Sequence, residues 1–347
     1  MPYFHAVVPA AASRDSSTMP RVAVLMVNLG TPDSPTYFAV QRYLREFLSD
    51  RRVIDTPRAV WLPLLYGVVL PFRPFRTARN YRKIWMKEGS PLAVYSRRLA
   101  TQVLARLSAA YSDKIRVELA MSYGNPNIAD VIRSFAECGI EKLLVLPLYP
   151  QYCSSTTGSV IDGMNAALRR WRTLPETRVI NDYHDNAGYI EALSRKISDH
   201  WAQAGGRSHL LFSYHGIPAS YVANGDPYQR QTEITSRRVV DHLGLSESEW
   251  SHCYQSRFGR VEWLKPYTLD KIKELADRGI RELTVASPSF AVDCLETLEE
   301  VAIEYRDRFL EWGGRRLTLV AGLNDDEDHV NALTNLIKSR LAGWVAS

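Results

Sequence analysis

His209-Leu-Leu-Phe-Ser-Tyr-His215-Gly-Ile-Pro218 is a short apolar run that breaks into a Gly-Pro loop. A run of this kind reads as a buried strand of a parallel sheet, and such sheets bind ligands just beyond the carboxyl ends of their strands. The pattern occurs twice. Val24-Leu-Met-Val-Asn-Leu-Gly-Thr-Pro32 resembles Leu210-Leu-Phe-Ser-Tyr-His-Gly-Ile-Pro218, and Ala136-Glu-Cys-Gly-Ile-Glu-Lys-Leu-Leu-Val145 resembles Ala276-Asp-Arg-Gly-Ile-Arg-Glu-Leu-Thr-Val285. Strands are expected at 21–28, 117–122, 143–148, 177–181, 209–213, 252–255, 283–287 and 317–321. Amphipathic stretches at 95–110, 187–205 and 266–278 lie between them. The alternation predicts an α/β fold with parallel sheets, in two related halves of four strands each.

The halves differ in length. Gly30 and Gly139 are 109 positions apart and Gly216 and Gly279 are 63 apart, so the first half carries about 46 extra residues. They are expected at about 47–94, a segment rich in Trp, Tyr, Phe, Pro and Arg that reads as a lid or wall over a cleft. The chain then divides into a flexible leader at 1–20, a first domain at 21–185, a second at 186–325 and a C-terminal helix at 326–347 that packs back on the body.

The bulk properties bound the function. An apolar fraction of 46% and a charged fraction of 23% are those of a soluble globular protein. The net charge of +5 comes without a block of basic residues, which points to an anionic ligand or a membrane surface and away from nucleic acid. Four widely spread cysteines suggest neither a zinc site nor a disulfide framework, and fit a reducing cytoplasm. The apolar stretch 61–72 is interrupted by Pro63, Gly67 and Pro71 and falls short of the ~20 residues a bilayer span needs. A membrane-touching lip stays open there.

Two groups carry candidate chemistry. His215, at a strand end, is either a general base with a pKa near working pH or a histidine bonded to local backbone. Asp293, Glu296 and Glu300, if 293–305 is helical, share one face at i, i+3 and i+7. They form either an acidic path for a cation or a solvated face, with Asp293 also readable as a helix cap. The loop Gly30-Thr-Pro-Asp-Ser34 lacks both G-x-G-x-x-G and the Walker pattern, so it reads as a turn capped by Asp33 or Ser34. The hydroxyl-rich Tyr149–Gly158 segment either binds an anion at a helix start or caps that helix. Pro71-Phe-Arg-Pro-Phe-Arg76 and the following Tyr81-Arg-Lys suit a flat ligand bearing carboxylates, or else an amphipathic helix covering the core.

Taken together these segments resemble ferrochelatase, from about Val22 to the C-terminal helix. The resemblance rests on Asn28-Leu-Gly-Thr-Pro32, Tyr81-Arg with Gly89-Ser-Pro91, Tyr149-Pro-Gln-Tyr152 with Ser155-Thr-Thr-Gly158, Ser213-Tyr-His-Gly-Ile-Pro218 with Gly225-Asp-Pro-Tyr228, Tyr254-Gln-Ser256, Trp263-Leu, and Asp293-Cys-Leu-Glu-Thr-Leu298. It implies two similar Rossmann-like, chelatase-type domains flanking a porphyrin cleft. It also implies insertion of Fe²⁺ into protoporphyrin IX to give protoheme and two protons, the terminal step of heme biosynthesis.

By the same resemblance His215 and Glu296 are the catalytic and metal-binding pair, and Asp293 and Glu300 belong to the acidic path. Leu29, Arg73, Tyr81, Ser90, Tyr123 and Phe290 contact the porphyrin. The family's histidine two places before the glutamate is Cys294 here, and the residue before Tyr123 is Ser122. With no cysteine after Cys294, no iron–sulfur cluster is expected, nor any cofactor beyond substrate iron. The enzyme is expected in the cytoplasm as a monomer or weak dimer, with peripheral contact to the inner membrane and no nucleic-acid partner. Coproporphyrin III ferrochelatase and cobalt chelatase are alternatives on the same fold. A non-catalytic tetrapyrrole-binding or heme-transfer protein is the alternative of a different class.

Overall fold

The computed structural model describes residues 21–259 and 261–345. The expected leader at 1–20 lies outside them. Eight strands form: β1 (Val22–Thr31), β2 (Ile115–Gly124), β3 (Lys142–Pro147), β4 (Glu176–Val179), β5 (His209–His215), β6 (Trp250–Gln255), β7 (Glu282–Ala286) and β8 (Arg316–Leu319). They make two four-stranded parallel sheets with the same order, β2-β1-β3-β4 and β6-β5-β7-β8. The central strands are apolar on both faces, as sheets covered by helices on both sides require; Ala23 to Val27 and Leu210 to Phe212 are fully buried.

In the first half α1 (Tyr37–Ser49), α2 (Arg58–Leu64) and α3 (Leu70–Ile84) precede α4 (Pro91–Tyr111), α5 (Ile128–Glu137), α6 (Ser159–Leu168) and α7 (Ala187–Ala204). In the second come α8 (Ala219–Ala223), α9 (Tyr228–Leu243), α10 (Thr268–Asp277), α11 (Arg306–Glu311) and α12 (Glu327–Leu341). A π-helical turn, Leu65–Val69, joins α2 to α3, and the long π-helical segment Glu296–Tyr305 leads into α11.

The extra helices of the first half, α1 to α3, start at Tyr37, before the expected 47–94 segment, and their place in the second half is taken by the short α8. Glycine spacing measures the size of an insertion but not where it sits. Thr36, rather than Asp33 or Ser34, occupies the N-cap position of α1. Asp33 instead pairs with Arg42 and accepts from Asn125 Nδ2.

The last helix of each half packs across to the other; by the repeat α7 closes the first half, although the expected second domain begins at 186. α7 lies against α9 and α12, and α12 lies against α4. One apolar core therefore runs through both halves, joining Val24, Met26 and Leu99 to Ile197, Phe212, Val239 and Ile337. The lid has a core of its own. Trp61, Leu65, Leu70, Ala78 and Tyr81 pack on Val40, Tyr43 and Leu44 of α1, and the Trp61 indole donates to the Leu48 carbonyl at 2.7 Å. Its outer face exposes Val60, Tyr66, Val68, Phe72 and Phe75. Among the described residues no helix is long and apolar enough to cross a membrane.

Candidate active site

His215 is the last residue of β5. Its backbone is pinned twice: the amide donates to Ser289 Oγ at 3.1 Å, and the carbonyl accepts from the Tyr228 hydroxyl at 2.9 Å. Nδ1 lies 2.7 Å from the Gly216 carbonyl, which can only accept. Nδ1 therefore carries the proton, and the Nε2 lone pair is left to take another. Trp263 and Phe290 flank the ring, each with its centroid 6.3 Å away. The next residue has to be glycine, because a Cβ there would stand 2.9 Å from the Gln255 carbonyl oxygen and 3.0 Å from the Trp263 ring.

The carboxylates are arranged differently from the expected helix face. The helical segment begins at Glu296 and winds with π geometry, so Asp293 lies before it. Asp293 is buried and fully engaged. It accepts from the Thr297 hydroxyl at 2.9 Å, Asn324 Nδ2 at 2.8 Å and the Gly322 amide at 3.1 Å. It is not the helix cap either: Leu295 holds the N-cap position without a side-chain cap, and Asp293 instead ties the turn before the helix to Gly322 and Asn324. Asp293 consequently shares no helix face with Glu296 and Glu300, and three donors already occupy its two oxygens.

Glu300 accepts from the Ser256 amide at 3.0 Å, the Ser256 hydroxyl at 2.5 Å, the Tyr305 hydroxyl at 2.5 Å and Gln255 Nε2 at 3.2 Å. Burial raises its pKa, and the charge of Glu296 adds to this. The Ser256 and Tyr305 hydrogen bonds and the nearby His215 act in the opposite direction. Glu296 bears electrostatically on the lid. Burial lowers the pKa of Arg73 while Glu296 pulls it back up; Tyr81 is raised by burial and then by Glu296. The Arg73 guanidinium sits 4.8 Å from the Phe258 ring centroid. Burial, then Glu296, pushes the Cys294 thiol up as well, so this position offers a neutral thiol.

A narrow pocket of about 250 Å³ collects Leu29, Tyr43, Tyr81, Ser90, Cys294 and Glu296. Ser90 is buried there as the N-cap of α4, accepting from the Ala93 amide at 3.2 Å. His215, Phe290 and Glu300 group on the second-half side. Tyr123 does not line this pocket but belongs to the same apolar cluster as Tyr43 and Tyr81; it packs on Phe47 with its hydroxyl donating to Asp50 at 2.7 Å, and burial raises its pKa. The Tyr149–Gly158 segment meets an anion from within the chain: Asp226 of the second half accepts from the Ser154 amide at 2.7 Å.

Three residues outside the expected set organise this site. Gln255 pairs with His215 in the β5–β6 ladder, accepts from Ser213 Oγ at 2.7 Å, and donates to both the Glu296 carbonyl and Glu300. Ser256 holds φ 65°, a left-handed conformation rare outside glycine, and turns both its donors onto Glu300. Tyr305 closes the same carboxylate. The available signal was position: polar residues directly after an apolar strand, at the edge where His215 also ends.

A family model described as ferrochelatase matches residues 21–341. A ferrochelatase of Thioalkalivibrio sulfidiphilus is 47% identical over 93% of this chain and 88% of its own length. A ferrochelatase of Idiomarina loihiensis is 45% identical over 93% of this chain and 89% of its own. Among solved structures, SirB from Bacillus subtilis with Fe³⁺ superposes with a TM-score of 0.57 at 11% identity, covering 93% of this chain and 97% of that one. That last likeness speaks to the fold alone.

Proposed function

The chain belongs to the ferrochelatase family, and on that premise we propose that it inserts Fe²⁺ into protoporphyrin IX in the cleft between its halves, with His215 and Glu296 as the reacting side chains. The family's reaction places a metal ion in a porphyrin within heme synthesis. In it two pyrrole N–H bonds break, four iron–nitrogen bonds form, two protons leave and iron keeps its oxidation state.

The observation that carries the assignment is the His215 tautomer. With Nδ1–H held by the Gly216 carbonyl, Nε2 is the basic atom, and it stands beside aromatic walls suited to a macrocycle face. A proton taken there has an outlet at Glu300: burial raises its pKa, and the Ser256 and Tyr305 hydroxyls that donate to it can turn to accept once it is protonated. Glu296 meets the incoming cation or the second proton, its carbonyl steadied by Gln255. Arg73 and Tyr81 on the lid, with Leu29, Ser90 and Phe290 around the cleft, hold the porphyrin and its propionates, and Tyr123 stands on the far side.

The pocket is a narrow slot with no room for a macrocycle, so in this reading the lid moves outward to admit the porphyrin. The exposed apolar face of the lid suits peripheral contact with the inner membrane of a cytoplasmic enzyme, and nothing in this reading requires more than a monomer.

The test is an anaerobic assay with Fe²⁺ and either protoporphyrin IX or coproporphyrin III, following collapse of the free-base visible bands. Faster metallation of protoporphyrin IX is expected. Binding of either porphyrin without metallation would overturn the enzymatic reading, and preference for coproporphyrin III would overturn the substrate.

A further inference from the structure

The lid helix α3 carries Arg73 and Tyr81, and near its C-terminal end Lys83 reaches across the cleft to the other half. Lys83 Nζ lies 2.6 Å from Glu299 Oε1. Among the described residues this is the ion pair that joins α3 to the second half. It is unevenly exposed: the lysine side chain is 40% accessible and the glutamate side chain 9%. Glu299 sits in the π-helical segment, three residues after Glu296 and directly before Glu300. Leu295, next to Glu296, packs on the lid core that contains Tyr81. The lid thus meets the site helix through apolar packing at Leu295 and through this charged pair.

Outward movement of α3 breaks the charged contact. It leaves a nearly covered carboxylate without a counter-charge, in a segment that already holds Glu296 and Glu300. Desolvated charge stripped of its partner is costly, so the open lid is disfavoured by an amount that the Lys83–Glu299 pair sets.

We propose that the Lys83–Glu299 ion pair is a latch that couples closure of the lid to the helix bearing Glu296 and Glu300, making Lys83 a positioning residue for the reaction. The proposal rests on the porphyrin-cleft reading above. Lys83 touches no reacting atom; it acts through the time the lid stays shut over a bound macrocycle.

The test compares wild type with Lys83→Met, which keeps most of the stem without the charge, and with Glu299→Gln, which keeps the shape. The rate of release of bound protoporphyrin IX is read by stopped-flow fluorescence, beside thermal stability and kcat and KM. Each variant is expected to release porphyrin on the order of tenfold faster. The double variant should release no faster than either single one, because the pair acts as a unit. Added salt should speed release from wild type and leave Lys83→Met unchanged. The charge swap Lys83→Glu with Glu299→Lys should restore slow release.

Unchanged release rates in both single variants, with or without a fall in thermal stability, would overturn the latch while leaving the porphyrin reading intact. Failure of the wild-type protein itself to bind porphyrin would overturn both.

Discussion

The two halves of this molecule share one strand order and differ in what stands at the strand ends. Asn28 lies opposite Met121 in the first ladder and Tyr214 opposite Tyr254 in the second, and Met121 and Tyr254 each donate to a proline carbonyl, at Pro126 and Pro266. This register aligns Leu29 with His215 and Ser122 with Gln255. Counted from the N-caps Asn186 and Asp326, Tyr189 in the first turn of α7 corresponds to His329 in the first turn of α12. After β3 the first half makes a π-helical turn, Ser154–Gly158, without a carboxylate; after β7 the second makes the long one that starts at Glu296. The proposed chemistry rests on a few strand-end residues that the first half replaces on the same scaffold, since function follows the site rather than the fold.

The largest expected break in the comparison comes from giving the second π segment the composition of the first. Glu296→Ser should lower kcat by on the order of a hundredfold or more while porphyrin still binds, measured by anaerobic insertion and by fluorescence titration. Gln255→Ser imports the first-half residue at the ladder position beside His215. It leaves Glu300 and the Glu296 carbonyl one donor short and should cost about 1–3 kcal/mol of stability in urea unfolding, with a lower kcat.

The smallest effect at neutral pH belongs to His329→Gln. His329 is completely buried and its pKa is lowered to about 4 by that burial, against ~6.5 when unfolded. A depressed histidine contributes stability that is intact above the unfolded value and is lost as pH falls from about 6.5 toward 4. The wild-type urea midpoint should drop over that window, with this histidine contributing up to ~1.4 kcal/mol per pH unit, and His329→Gln should flatten the slope. His252, also lowered to about 4, keeps part of it. Tyr189, the first-half counterpart, has its pKa raised by burial and does not titrate there. An unchanged slope in His329→Gln would remove this difference between the halves.

Much of this architecture was legible in the sequence because buried parallel strands are written as apolar runs and the repeat writes them twice. Strand ends moved by a few residues: β1 continues to Thr31 and β5 to His215, carried by ladder pairing past the apolar signal. Asp293 was misplaced because helical periodicity cannot show where a helix starts or that it winds with π geometry. Its role depends on Asn324 and Gly322, distant in sequence. Tyr254-Gln-Ser256 supports the family resemblance without showing a role for Gln255 or Ser256, which carry chemistry only once Glu300 is folded against them.

The central claim, that the chemistry belongs to the second half through His215 Nε2, is tested most directly by a single-turnover experiment on His215→Leu, which installs the residue of the first half. Protoporphyrin IX is bound to saturation, Fe²⁺ is mixed in anaerobically, and loss of the free-base bands is followed. Unimpaired porphyrin binding and metallation slowed by at least about a hundredfold are expected. Metallation at the wild-type rate with porphyrin normally bound would contradict the claim.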